Sequence, residues 1–134
     1  MKNIVFILII LFGAIPTLKA DVKKWKLEQA GFLNIDRNEK DYGGFSGLLI
    51  KNAGTEALVV TDKSFFFVLE LRRDDNDILT GYSTIKKGRI LSSKGEHLNG
   101  RNTDSESITM DSNNNYYISF ESNHRIMMHA EIEG

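Results

Sequence analysis

The stretch "GFSGLLIKNAGTEALVVTDKSFFFVLEL", residues 44–71, decides how this chain is read. It holds three apolar runs, GFSGLLI (44–50), ALVVTD (57–62) and SFFFVLEL (64–71), joined by the polar connections KNAGTE and DK. Short runs rich in β-branched, aromatic and apolar residues, punctuated by turn residues, read as strands. The unit is a strand, a tight polar turn, a strand ending in an acid, a short turn and a third strand. That is a β-meander.

A second unit of the same kind follows. Its runs are ESITM (106–110), YYISFE (116–121) and RIMMHAEI (125–132), with DSNNN and ESNH as turn signals. Setting Gly47 against Ser107 pairs Leu48 with Ile108, Ile50 with Met110 and Lys51 with Asp111. After a one-residue gap, Ala57 meets Tyr116, Val59 meets Ile118 and Asp62 meets Glu121. The third run then pairs Phe67 with Ile126 and Leu69 with Met128. The offset is 60 residues, falling to 59 after the gap. Sequence repeats of about 40–50 residues mark propeller blades, and a longer period fits a blade with a long outer loop. The more polar segment DDNDILTGYSTIKKGRIL (74–91) supplies that loop with an outer strand or two. No segment keeps a helical apolar period over three turns. The expected fold is all-β, made of propeller-like meander blades. Two blades leave both outer faces wet, so the chain is expected to be the N-terminal part of a ring. The alternatives are a small sandwich or an oligomerising unit.

The first residues stand apart from this pattern. MKNIVFILIILFGAIPTLKADVKK opens with Lys2, runs apolar from Ile4 to Ile15, breaks at Pro16 and ends Leu18-Lys19-Ala20 on a small residue. The apolar run is shorter than the roughly 20 residues that span a bilayer as a helix. Residues 1–20 are therefore expected to be a cleaved export signal, rather than a retained anchor, with Asp21 as the mature N-terminus. Residues 21–134 form the domain, in the periplasm or secreted, with no stable membrane span after cleavage. Without Lys2 and Lys19 the mature part carries 15 basic and 18 acidic groups, net −3, which argues against nucleic acid as a partner. The chain has no Cys, so no disulfide supports the fold and its core must suffice.

The chemistry candidates lie in TDSESI (103–108) and FESNHR (120–125). Strand ends and turns of meander blades gather around a common axis and face. Asp62, Asp104, Glu106 and Glu121 could converge there as hard oxygen ligands for Ca²⁺ or another divalent cation. His124 could serve as a general acid or base near neutral pH, and Arg125 could hold a phosphate or carboxylate bidentately. Equally, the acids could be turn residues that accept backbone N–H bonds, with Arg125 in a local ion pair.

Other motifs read as structure. Gly43 and Gly44 suit a turn leading into a central strand; they make a poor phosphate cradle, having no following helix and no Lys-Ser/Thr pair. DSNNN (111–115) lacks the Gly and terminal Glu of a calcium loop and reads as a hairpin turn. RRDDND (72–77) is a solvated loop. Trp25 and the SFFF run (64–67) are expected in the core or between blades. His97 and His129 are far apart in sequence and show no metal spacing. No nucleophile elbow, Cys-His pair or zinc pattern occurs.

Taken together, these motifs resemble the phytase-like domain, the family described as esterase-like activity of phytase. Its members read G-G-hydrophobic-S-G-hydrophobic, a strand ending S-D, D-x-E-G or D-x-E-A, then strands ending S-F-E and H-R-I. In this chain the matching positions are Gly43 to Leu48, Thr61-Asp62, Asp104 with Glu106, Ser119 to Glu121, and His124 to Ile126. Thr61 and Ser107 depart mildly from the pattern. The likeness covers most of residues 22–134. It implies an exported bacterial protein, a propeller-like domain longer than these residues, and an ester or phosphoester hydrolase. On that expectation Glu106, Glu121, His124 and Arg125 are catalytic, and a small-molecule ester or phosphoester is the partner. The competing expectation is a non-catalytic propeller that binds a ligand or partner in the cell envelope.

Overall fold

A computed structural model describes residues 25–35 and 41–132. The expected export signal and the Asp21 terminus lie outside the described residues. Seven strands form two antiparallel meanders. β1 (Phe45–Lys51), β2 (Glu56–Thr61), β3 (Phe65–Arg73) and β4 (Leu79–Arg89) make the first sheet in sequential order. β5 (Ser105–Met110), β6 (Tyr116–Phe120) and β7 (Arg125–His129) make the second. The fold is all-β, as expected, and the two sheets do not close a ring. No helix among the described residues is long and apolar enough to cross a membrane.

The repeat is visible in the backbone. In the first sheet Leu48 faces Val59 and Ile50 faces Ala57; in the second Ile108 faces Ile118 and Met110 faces Tyr116. A bulge interrupts both ladders at the same place, leaving Ser46 and Glu106 as the extra residues. Even the closing bonds match: Asp62 N–H donates to Gly44 O (2.9 Å) and Glu121 N–H to Asp104 O (3.0 Å). One pairing needs correction. Val59 faces Phe67 while Ile118 faces Met127, so Phe67 corresponds to Met127 and Leu69 to His129. The turn 121–124 is one residue longer than the turn 62–64, which returns the offset to 60.

Burial explains the composition. Leu58, Val60, Phe66 and Val68 meet Ile108, Ile118 and Phe120 between the sheets, closed by Ile90 and Leu98 from the segment between the sheets and by Ile132 after β7. On the other side of the first sheet, Ala57, Val59, Phe67 and Leu69 pack under Tyr42 and Ile35. Strand β2 is thus buried on both faces, which is why ALVV is continuously apolar rather than alternating. By the register, the face of the first sheet that meets the second corresponds to Tyr117, Ser119, Ile126 and Met128, and Ile126 is 72% exposed. The sheets therefore stack in one sense, front to back. That is blade stacking, not the face-to-face pairing of a symmetric sandwich.

Contact between the blades is close. A Cβ on Gly47 would lie 2.9 Å from Ser107 Cα and 3.0 Å from Ile108 N. Ser105 Oγ donates to Thr61 O, Ser64 Oγ to Thr103 O and Ser46 Oγ to Ser105 O, so two buried hydroxyls and one half-buried one stitch one blade's backbone to the other. Two expectations fail here. Gly43 (φ +130°) and Gly44 (φ +63°) do form the turn, but β1 lies at the hydrogen-bonded edge of its sheet rather than its centre. Trp25 is not core: it is 85% exposed, because its segment has no regular structure and joins neither sheet.

The DSNNN turn is held by its acid. The Asp111 carboxylate accepts bonds from Asn113 N–H, Asn115 N–H, Asn115 Nδ2 and Tyr117 O–H, while Asn114 takes φ +65°. Those donors, Asn115 foremost, hold the Asp111 carboxyl below its ordinary value. A lowered carboxyl contributes stability above its unfolded value and loses it as pH falls through the folded one. Asp111→Ala is expected to lower the thermal midpoint by a few degrees at pH 7 and to flatten the acid limb. Melting curves across the acid range check this; a wild-type acid limb in the variant would contradict it.

Candidate metal centre

The candidate site is built on the two matched strand ends and one bulge. Asp62 directly follows β2, Glu121 directly follows β6, Asp104 directly precedes β5, and Glu106 is the bulge residue within β5. A regular strand would send Glu106 to the face opposite Ser105 and Ser107. The bulge instead lets Ser105 and Ile108 both turn inward and re-aims Glu106 toward the strand ends. Asp104, Glu106 and Glu121 thereby offer carboxylate oxygens that all lie within 4.8 Å of one another.

Their electrostatics follow from that crowding. Partial burial pushes the Glu106 carboxyl above its ordinary value, followed by repulsion from Glu121 and Asp104 and a hydrogen bond shared with Glu121. Asp62 adds a weaker repulsion. Asp62 itself sits over Gly44, where a Cβ would come within 2.1 Å of its Oδ1. That Oδ1 is buried and has no hydrogen-bond partner. Ser122 Oγ donates to Asp104 Oδ2 and steadies that carboxylate.

The remaining expected residues fall beside the group, not in it. His124 is exposed on the turn that Glu121 opens. Arg125 turns back on the fold: its guanidinium donates to Asn102 O and to Asn123 O (3.1 Å) and lies 3.8 Å over the Phe120 ring. Burial lowers its pKa, though an arginine remains charged. Its visible work is to fasten the turn that carries Glu121. No acid ion-pairs with it among the described residues, so the local salt bridge considered from sequence is replaced by carbonyl acceptors and a ring.

Asp104, Glu106 and Glu121, with the buried, unpartnered Oδ1 of Asp62 on the neighbouring strand end, offer a hard-oxygen donor set. These residues fit a divalent cation. A family model, phytase-like, described as esterase-like activity of phytase, matches residues 40–132. The chain belongs to the phytase-like family. The match spans both blades and every acid of the group. No curated protein and no solved structure matches this phytase-like chain. Sequence reasoning missed Ser46, the bulge residue of the first blade, which ties the blades together where Glu106 builds the acid group in the second. The register match of Ser46 with Glu106, one repeat apart, was the available signal.

Proposed function

We propose that this phytase-like chain binds a divalent cation such as Ca²⁺ at Asp104, Glu106 and Glu121, supported by Asp62, and serves hydrolysis of a small ester or phosphoester. The observation that carries the reading is the convergence of three carboxylates within 4.8 Å at a bulge and two strand ends. Like charges so arranged raise the free energy of the folded chain unless a cation joins them. A cation held there polarises a C–O or P–O bond and lowers the pKa of its water. Glu106 sits at the centre of the donor set, and Glu121 is exposed where a substrate can approach. His124, exposed on the same turn, is the side chain placed to pass a proton to a leaving group. Arg125 positions that turn through its carbonyl bonds. Exported, the protein would meet such esters in the periplasm or medium.

A second reading has its own support. Glu121 lies exposed, not in a water-excluded cleft, which suits a cation-stabilised binding platform as well as a hydrolase. Calorimetric titration with Ca²⁺, followed by a panel of aryl acetate and phosphate esters, separates the two. The hydrolase reading expects cation-dependent turnover that falls about a hundredfold or more in Glu121→Gln. Cation binding with no turnover supports the platform, and no cation binding at all overturns both.

A further inference from the structure

The second sheet keeps one face open. Its front carries Ser107, Thr109, Tyr117, Ser119, Ile126 and Met128, with Ile126 72% and Met128 60% exposed. One repeat earlier, the positions of Tyr117, Ser119, Ile126 and Met128 are held by Leu58, Val60, Phe66 and Val68, all buried against the second sheet. The fold thus covers this face in one blade and leaves its equivalent bare in the next. Ile126 and Met128 are neighbours on one side of β7, and Tyr117 pairs with Met128 across the ladder, so the apolar surface is continuous. An exposed patch of that kind marks an interaction surface.

The matching half lies on the same chain. The second blade meets the first through the back of β5, where Ile108 is buried and Met110 half-buried, and β1 is the strand it packs against most. Their counterparts in the first blade, Leu48 and Ile50, stand on the back of β1 and are 61% and 47% exposed. Tyr42 and Ile35 pack on the back of β2 and β3 but leave that row open. The chain therefore carries a receiving face at one end of its stack and an entering face at the other. We infer that a second copy of this chain seats Leu48 and Ile50 of its β1 on Tyr117, Ile126 and Met128 of the first, continuing front to back the contact that joins the two blades. Neither row holds a charged residue, so the contact strips no ion of water. Ser107 and Ser119, short side chains bonded to each other, take the places of Gly47 and Val60 and keep the centre of the face low. Such a contact is heterologous: repeated, it closes a ring or runs on as a filament. This inference does not depend on the acid group.

The test is sedimentation equilibrium of the full chain over about 1–300 μM, where the mass should rise with concentration. Two variants change only exposed residues outside both cores: Ile126→Lys with Met128→Lys on the front, and Leu48→Lys with Ile50→Lys on the back. Each should raise the dissociation constant about tenfold or more, because an unpaired lysine in an apolar contact is disfavoured. Mixing the two variants leaves one intact front and one intact back, so the mixture should recover dimers and nothing larger. A pair joined front to front would instead be lost in the front variant and kept in the back variant, and that result overturns the proposal. A single-chain mass at every concentration also overturns it, leaving the face to a different partner. So does association that neither variant alters, which would place the contact elsewhere, such as the apolar run Ile4–Ile15.

Discussion

Replacing Glu106 by Gln is expected to stabilise the cation-free protein at neutral pH and to remove its response to a divalent cation. The two halves have opposite signs, which makes the experiment sharp. In the folded chain Glu106 titrates above its ordinary value of 4.5. A group raised in this way contributes its stability below the unfolded value and loses it as pH rises through the folded one. Cation-free wild type should therefore lose stability from the ordinary Glu range upward, while Glu106→Gln, which cannot ionise, should not. The difference in midpoint between them is near zero at about pH 4 and favours the variant at pH 7. Adding Ca²⁺ reverses the ranking. At about a hundred times the dissociation constant, wild type should gain about 10 °C, because a ligand bound only by the native state stabilises by mass action. The variant, with one oxygen donor neutralised, should gain little. A variant less stable than wild type without cation, or one that keeps the full Ca²⁺ response, would show that the carboxylates are ordinary turn residues.

Gly47→Ala should weaken the fold by forcing the two blades apart. Its Cβ would lie 2.7 Å from Val60 Cγ2 and 2.9 Å from Ser107 Cα. The first contact could relax by a side-chain movement; the second is backbone of the neighbouring blade and cannot move alone. Overpacking of this kind costs about 1–3 kcal/mol. Because the blades are stitched by Ser46, Ser64 and Ser105 within the same seam, prising it open also lengthens those hydrogen bonds. Denaturant unfolding of Gly47→Ala, with Ser107→Ala as a control at the same seam, measures the effect. The control should stay within about 0.5 kcal/mol, since its hydroxyl bonds only Ser119 at an exposed site. Equal stability of Gly47→Ala and wild type would mean that the blades do not meet at this glycine.

The repeat shows where reading a sequence succeeds and where it slips. Pairing Asp62 with Glu121 needed only that strands alternate and that a polar residue ends each run, and both residues sit at matched strand ends. The third strand slipped by one place because no sequence feature marked the extra residue in the turn before Arg125. Trp25 misled for a related reason. Aromatic residues are usually buried, but burial needs a partner surface, and residues 25–35 join neither sheet. His97 and His129 were set aside for lack of metal spacing, yet a bridge and a strand end bring them to one cleft without any spacing rule.

Local sequence determined the strands, their turns and the acids at their ends, because alternation, β-branching and turn chemistry act between neighbours along the chain. It also determined the family, through short motifs in fixed order. Tertiary structure alone decided that Glu106 faces Glu121 rather than the opposite surface. One extra residue in a ladder breaks the two-residue period, and that irregularity is set by how β5 meets both β6 and the blade behind it. It alone also decided that the sheets stack front to back. Both faces of β2 are apolar enough to be buried, and the fit of the second blade's backbone against Gly47 decides which of them meets it.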